Sequence, residues 1–204
     1  MSRTCLALLL GAGSLPLWAG SIGVAVGPAG GLTVPLGGNI VHYQPSWVTG
    51  FDIRVTGFQP VIGLGLSAGY TRFRGPHNDS ITNDSSKFSY RYVPATVYLL
   101  TDLSRIFTRP PFFPYLRIGV GPCYWDVRYD TMFFTTLDST KSRQWDYAFS
   151  ATLGAEKRLG RLPLSVFLDL TANYVTSSHF EKYSPLDKDE SYAAVSLGFR
   201  YHLR

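Results

Sequence analysis

The C-terminal stretch of the chain, residues 192–203, alternates between apolar and polar side chains. Its apolar positions are Val195, Leu197, Phe199, Tyr201 and Leu203, and its polar positions are Ser196, Gly198, Arg200 and His202. Because a β-strand points alternate side chains to opposite faces, this pattern predicts a strand with one apolar and one polar face. The apolar face points inward in a soluble sandwich, but in a transmembrane barrel it faces lipid and the polar face lines the lumen.

The first residues of the chain have the plan of a secretory signal peptide. A basic start at Arg3 precedes an apolar run at residues 6–17, and small residues follow at positions 19 and 20. The run is shorter than the roughly 20 apolar residues that a membrane-spanning helix needs. We therefore predict a signal peptide at residues 1–20 and one exported domain at residues 21–204.

The composition favours a β structure and argues against nucleic-acid binding. Aromatic residues make up 15% of the chain, charged residues only 16%, and there are 20 glycines. These proportions are typical of β-barrels with aromatic girdles at the membrane interfaces. The net charge of +5 comes from scattered Lys and Arg residues, whereas a nucleic-acid partner would require a clustered basic face.

Period-2 alternation recurs eight times after the predicted signal peptide. The stretches are 21–26 with a possible extension to 34, 47–58, 61–73, 87–100, 115–126, 144–158, 164–176 and 192–204. Seven of them clearly have the roughly 9–11 residues that a tilted strand needs to cross a bilayer. Pro94 interrupts the fourth stretch and predicts a β-bulge there. We predict an all-β fold, an eight-stranded antiparallel up-and-down transmembrane β-barrel.

The links between these stretches differ in length at the two predicted ends of the barrel. Residues 59–60 and 159–163 are short links, whereas long polar links occupy residues 35–46, 75–86, 127–143 and 176–191. Transmembrane barrels have short periplasmic turns and longer extracellular loops. The exception is the proline-rich link 101–114, for which we predict that the aromatic residues Phe107, Phe112, Phe113 and Tyr115 lie at the periplasmic interface.

Six charged residues share the polar parity of their strands. They are three acids and three bases: Asp52, Arg54, Arg117, Glu156, Asp169 and Arg200. The interior of an eight-stranded barrel is just wide enough for side chains to fill it, and isolated charges there are costly. We predict that the six residues form a structural network of ion pairs in the lumen, in which Arg200 points towards Asp52, Glu156 or Asp169.

The chain resembles the small eight-stranded outer-membrane barrels of the outer-membrane protein A and X type. The resemblance lies in the patterns of residues 114–121, 153–159, 166–174 and 195–201. It implies a monomer in the bacterial outer membrane, with outer-membrane lipids, the barrel-assembly machinery and an unidentified extracellular partner of the loops as partners. Many members end on an aromatic residue that the assembly machinery uses, whereas this chain ends on Leu203 and Arg204.

The residues that could carry chemistry are few. Ser177, Ser178, His179 and Glu181 cluster after the seventh strand, but they lack the His-x-Ser order of the barrels that deacylate lipid A. The loop oxygens of Asn78, Asp79, Asn83 and Asp84 lack the spacing of a calcium loop. We predict no catalytic residue, metal or cofactor and a non-enzymatic role, with a lipid-modifying barrel enzyme and a soluble lipocalin-like carrier of a hydrophobic ligand as alternatives.

Overall fold

A computed structural model describes most of the chain after the predicted signal peptide. The described residues are 22–41, 43–57, 61–74, 87–104, 112–130, 143–176 and 189–203. The predicted signal peptide therefore lies outside them, as do the loop residues considered above for catalysis and for calcium. Within the described ranges, no helix has the length and hydropathy to cross a membrane.

Eight antiparallel strands form a closed barrel. They are β1 (Gly23–Gly37), β2 (Ser46–Thr56), β3 (Ile62–Arg74), β4 (Lys87–Asp102), β5 (Phe113–Asp130), β6 (Arg143–Arg158), β7 (Leu164–Val175) and β8 (Glu190–Leu203). Each strand pairs with its neighbours in sequence, and β1 also pairs with β8. Closure leaves no sheet edge without hydrogen-bond partners, which a structure surrounded by lipid requires. The predicted fold is confirmed.

The outer surface of the barrel is an apolar band. In the terminal strand, Phe199 and Tyr201 are 53% and 47% exposed, whereas Arg200 between them is 0% exposed. The same alternation leaves large apolar side chains exposed on the other strands, among them Leu66, Leu99, Ile118, Leu153 and Leu168. The apolar face therefore points outward, as it does in a membrane barrel and not in a soluble sandwich.

The two ends of the barrel carry links of different length. Residues 57–61, 103–112 and 159–163 connect strands at the end that also holds the start of β1 and the end of β8. Residues 38–45, 75–86, 131–142 and 176–189 connect strands at the other end, and the first of these links contains a short 3-10 turn. We assign the first end as periplasmic and the second as extracellular, following the loop lengths of transmembrane barrels.

The predicted bulge at Pro94 is wrong. Ala68 pairs with Ala95 and Thr71 pairs with Tyr92, and these two pairs share one register although they flank Pro94. The missing N–H of proline is accommodated by leaving out local pairs, without inserting an extra residue. A register shift does occur elsewhere, between Pro35 and Gly37 on the ladder from β1 to β8.

The predicted interfacial position of Tyr115 is also wrong. Strand β5 begins at Phe113, so Tyr115 already lies within the strand, on the same parity as Arg117. Its side chain is buried in the lumen, whereas Phe112 and Phe113 are partly exposed at the periplasmic end. Phe107 lies outside the described residues.

Candidate functional site

The six charged residues that the sequence places on the polar parity come together in the periplasmic half of the lumen. Arg200 of β8 lies at their centre and is fully buried. Its Nε donates to Asp52 Oδ1 at 2.6 Å, and its Nη1 donates to Glu156 Oε2 at 2.8 Å. Its Nη2 lies 3.8 Å from Asp169 Oδ2. Arg200 thus contacts all three carboxylates towards which it was predicted to point.

The other two arginines complete the network. Arg117 donates to Asp52 Oδ2 at 3.0 Å and to Asp169 Oδ2 at 2.5 Å. Arg54 donates to Glu156 Oε2 at 2.7 Å. Each carboxylate is therefore shared by two guanidinium groups, and the six charges sum to zero. This arrangement satisfies buried charges that would otherwise be strongly unfavourable in a narrow lumen.

Four further side chains, from two tyrosines, a serine and a histidine, join this network and were not among the predicted residues. Tyr98 donates its hydroxyl to Asp52 at 2.5 Å, and the Tyr115 hydroxyl donates to Asp169 and accepts from Arg200. Ser165 donates to Glu156 at 2.5 Å and lies 2.9 Å from Nε2 of His202. The parity of Tyr115 with Arg117 and of His202 with Arg200 was a usable signal for two of them.

Three aromatic rings of the periplasmic half each lie opposite a glycine on the next strand. Tyr98 pairs with Gly65, Tyr115 with Gly154, and Phe167 with Gly198. A Cβ atom at any of these glycines would collide with the ring of its partner. The glycines leave room for each ring to lie flat over the neighbouring strand.

These rings also contact the guanidinium groups directly. The guanidinium carbon of Arg200 lies 3.6 Å from the ring centroid of Phe167, and that of Arg54 lies 4.6 Å from the centroid of Tyr115. Cation–π contacts are strongest where water is excluded, as it is around these buried arginines. The rings therefore fix the guanidinium planes that the carboxylates bind.

Aromatic and apolar side chains fill the extracellular half of the lumen. This aromatic cluster consists of Ile40, Phe73, Tyr90, Tyr92, Cys123, Trp125, Ala148, Val175 and Tyr192, all of them buried. Trp125 donates its indole N–H to Asp146 at 2.8 Å. The Tyr92 hydroxyl is buried and has no hydrogen-bond partner within the described part of the chain. The aromatic content of the sequence favours girdles at the membrane interfaces and does not predict this cluster.

A small polar chamber separates the charge network from the aromatic cluster. Its volume is about 110 Å³, and Tyr192 lines it on one side and Arg117 on the other. Several serine and threonine hydroxyl groups line the wall between them, and two of these groups, on Thr152 and Thr171, lie 2.9 Å apart. The chamber is large enough for a few water molecules, and its lining offers them several partners.

The network offers little chemistry beyond structural pairing. All three carboxylates are held by arginines, so none is available as a general base without breaking an ion pair. Among the described residues, no group of three or more His, Cys, Asp or Glu side chains is placed to hold a metal ion. The sequence candidates at Ser177, Ser178, His179 and Glu181 lie outside the described part of the chain, and so do those at residues 78–84.

Comparison with solved structures finds proteins of the same architecture. A major outer membrane protein from Thermus thermophilus aligns over 89% of this chain and 99% of its own, with a TM-score of 0.56 and 12% identity. Ail, the attachment invasion locus protein of Yersinia pestis, aligns over 91% and 100% with a TM-score of 0.50 and 14% identity. The fold is that of the small eight-stranded outer-membrane β-barrels. The solved neighbours are bacterial outer-membrane proteins, which agrees with the predicted localisation.

The matches do not extend to function. The outer membrane enzyme PagL also aligns, over 87% of this chain and 98% of its own, at a TM-score of 0.44 and 12% identity. A shared fold at such identity shows no activity. No family model matches this chain. No curated protein matches it either.

Proposed function

We propose that this protein is a non-enzymatic outer-membrane barrel that acts as a rigid support for its extracellular loops, which bind a partner outside the cell. The observation that carries the proposal is the filling of the lumen at two levels. The charge network occupies the periplasmic half and the aromatic cluster the extracellular half. A barrel packed in this way is suited to holding loops in place rather than to passing large solutes.

The charge network supports this scaffold role because it joins distant strands. Asp52 of β2 and Arg200 of β8 are 148 residues apart in sequence, and Arg117 of β5 contacts both Asp52 and Asp169 of β7. Such cross-lumen bonds oppose flattening of the barrel and sliding of one strand past another. The strand ends that carry the long loops are thereby held in a fixed arrangement.

The expected surroundings follow from this role. Outer-membrane lipids contact the apolar band, the barrel-assembly machinery inserts the chain, and the barrel functions as a monomer with an unidentified partner at its loops. A soluble lipocalin-like carrier is disfavoured because it needs an apolar interior, whereas the periplasmic half of this lumen holds six charges.

Surface labelling tests the topology that the proposal requires. Ser80→Cys and Ser139→Cys place thiols in extracellular links, and Arg161→Cys places one in a periplasmic link. We expect a membrane-impermeant maleimide to label the first two on intact cells and the third only after the outer membrane is opened. The native Cys123 is buried and provides the background. Labelling of Arg161→Cys on intact cells would contradict the assignment of the ends.

A lipid A profile tests the absence of enzymatic activity. The double variant Ser178→Ala/His179→Ala removes the hydroxyl and the imidazole of the sequence candidate for deacylation. We expect lipid A from cells that express the variant to match lipid A from cells that express the native chain. A change of acylation that depends on these two residues would replace the scaffold proposal with the lipid-modifying one.

A further inference from the structure

A wide vestibule opens at the periplasmic mouth of the barrel, below the charge network. Its volume is about 1100 Å³. Its lining contains five basic residues, Arg54, Lys157, Arg158, Arg161 and His202, and two acids, Asp102 and Glu156. We propose that this vestibule binds the phosphate of an anionic phospholipid from the periplasmic leaflet of the outer membrane.

The two acids of the vestibule are already occupied. Both carboxylate oxygens of Asp102 accept from Ser104, from its backbone N–H at 2.7 Å and from its hydroxyl at 2.9 Å. Glu156 is held by Arg54, Arg200 and Ser165. Glu156 is therefore already paired with arginines, whereas Asp102 keeps its negative charge and is outnumbered by the basic residues of the vestibule.

Arg158 and Arg161, by contrast, are exposed. Their side chains make no hydrogen bond or ion pair with the described part of the chain. Lys157 precedes Arg158 on β6 and is also exposed. Three cations thus line the vestibule together with one carboxylate that has no arginine partner, Asp102, which leaves an excess of positive charge. Such an excess attracts anions, most strongly where part of the surroundings is apolar.

Arg54 adds a second, independent sign that the vestibule suits an anion. This residue lines the vestibule and is only 4% exposed. Its Nη1 donates to Glu156, but its Nε and Nη2 are buried with no acceptor among the described residues. Buried guanidinium donors without acceptors are unfavourable. A phosphate at the floor of the vestibule would bring compensating negative charge close to this guanidinium group.

The rim of the vestibule points to a lipid as the source of the phosphate. Exposed apolar side chains surround it, namely Ile22, Ile62, Phe112, Leu162 and Leu203. Exposed apolar side chains are favourable only beside lipid acyl chains, so the hydrocarbon region of the membrane extends to this rim. The headgroups of the periplasmic leaflet then lie beside Lys157, Arg158 and Arg161. A phospholipid can then lay its chains on the outer band and place its phosphate among the cations.

Calorimetric titration of the full-length barrel in an uncharged maltoside detergent tests this assignment at fixed ionic strength. The probe is short-chain phosphatidylglycerol, and inorganic phosphate is the soluble comparison. We expect saturable binding of the lipid, weakened at least tenfold by Arg158→Gln/Arg161→Gln. The matched control is Arg72→Gln/Arg74→Gln, which removes two positive charges at the extracellular end and should leave the affinity unchanged.

Heat-modifiable migration on gels verifies that both double variants are folded. Equal weakening by the two double variants would reduce the effect to overall charge and overturn the proposal. Absence of saturable lipid binding would overturn it as well. Inorganic phosphate that binds as tightly as the lipid would overturn the lipid source. None of these outcomes depends on the extracellular loops, so they are separate from the tests of the scaffold role.

Discussion

The two halves of the lumen solve one packing problem in different ways. In the periplasmic half, three arginines and three carboxylates share directional, charge-assisted hydrogen bonds. In the extracellular half, aromatic and apolar side chains pack against one another, as in the edge-to-face contact of Phe73 with Tyr192 at 5.6 Å between centroids. The same closed wall thus encloses a polar core and an apolar core, separated by a small polar chamber.

The two halves of the lumen contribute to the barrel in different ways. Directional bonds specify which residue faces which, and a slip of one residue would turn every charge of that strand towards lipid. Aromatic packing stabilises the fold through buried apolar area, and it tolerates small shifts in the positions of the side chains. We infer that the charge network fixes the register of the barrel and that the aromatic cluster closes it under the loops.

The most damaging change should be the removal of Arg200. Arg200→Met keeps an unbranched apolar stem over Phe167 but leaves Asp52, Glu156 and Asp169 with one arginine fewer. Removing one member of a buried ion pair costs about 3–5 kcal/mol of unfolding free energy. Urea unfolding in lipid vesicles, followed by tryptophan fluorescence, measures this loss. Arg74→Met, at an exposed arginine of the extracellular end, serves as the control, and a loss below about 1 kcal/mol in Arg200→Met would mean that the network is not stabilising.

The next largest effect should come from filling the space beneath an aromatic ring of the network. In Gly154→Ala the new Cβ collides with the ring of Tyr115 and with Asp169. Overpacking of this kind costs about 1–3 kcal/mol. Gly30→Ala is the matched control, because a Cβ there meets only the carbonyl oxygen of Val48 at 3.8 Å. Equal stability of the two variants in the same unfolding assay would show that the Tyr115 ring is free to move aside.

The comparison of the halves also separates what the sequence predicts from what it does not. Parity and loop length predict the eight strands, the lipid-facing side and the inward direction of the charged residues, because a strand has a strict period of two. Arg200 is predictable in this way, since Phe199 and Tyr201 flank it on the apolar parity. Its simultaneous contact with three carboxylates depends on cross-lumen distances that no local pattern contains.

The aromatic cluster escapes prediction for a chemical reason. Tyrosine and tryptophan suit both a membrane interface and a packed lumen, so their identity does not reveal their side of the wall. In β4, a run rich in tyrosine gives no contrast between the two parities, and Pro94 suggests an irregularity that the ladder does not have. Glycines opposite Tyr98 and Tyr115 would have revealed the inward rings, but only once the register between strands was known.

A smaller loss should follow from removing the hydroxyl of Tyr115. Tyr115→Phe keeps the ring against Gly154 but deprives Asp169 of a donor and Arg200 of an acceptor. An unsatisfied partner in a buried polar network costs about 1–3 kcal/mol, and the remaining contacts of Asp169 with Arg117 place the expected value at the lower end. The same urea assay measures it. An unchanged stability would show that the ion pairs alone hold the periplasmic half together.

The smallest effect, with the opposite sign, should come from the equivalent change in the extracellular half. Tyr92 is fully buried in the aromatic cluster, and no described residue hydrogen-bonds to its hydroxyl. Tyr92→Phe removes a polar group that was dehydrated without compensation, so we expect the unfolding free energy to rise by about 1 kcal/mol. The pair Tyr92→Phe and Tyr115→Phe deletes the same atom from the two halves, and opposite signs would establish that one half depends on directional bonds and the other on packing. A loss of stability in Tyr92→Phe comparable to that in Tyr115→Phe would show that the aromatic cluster also relies on a hydrogen bond at this hydroxyl, and the distinction between the halves would fail.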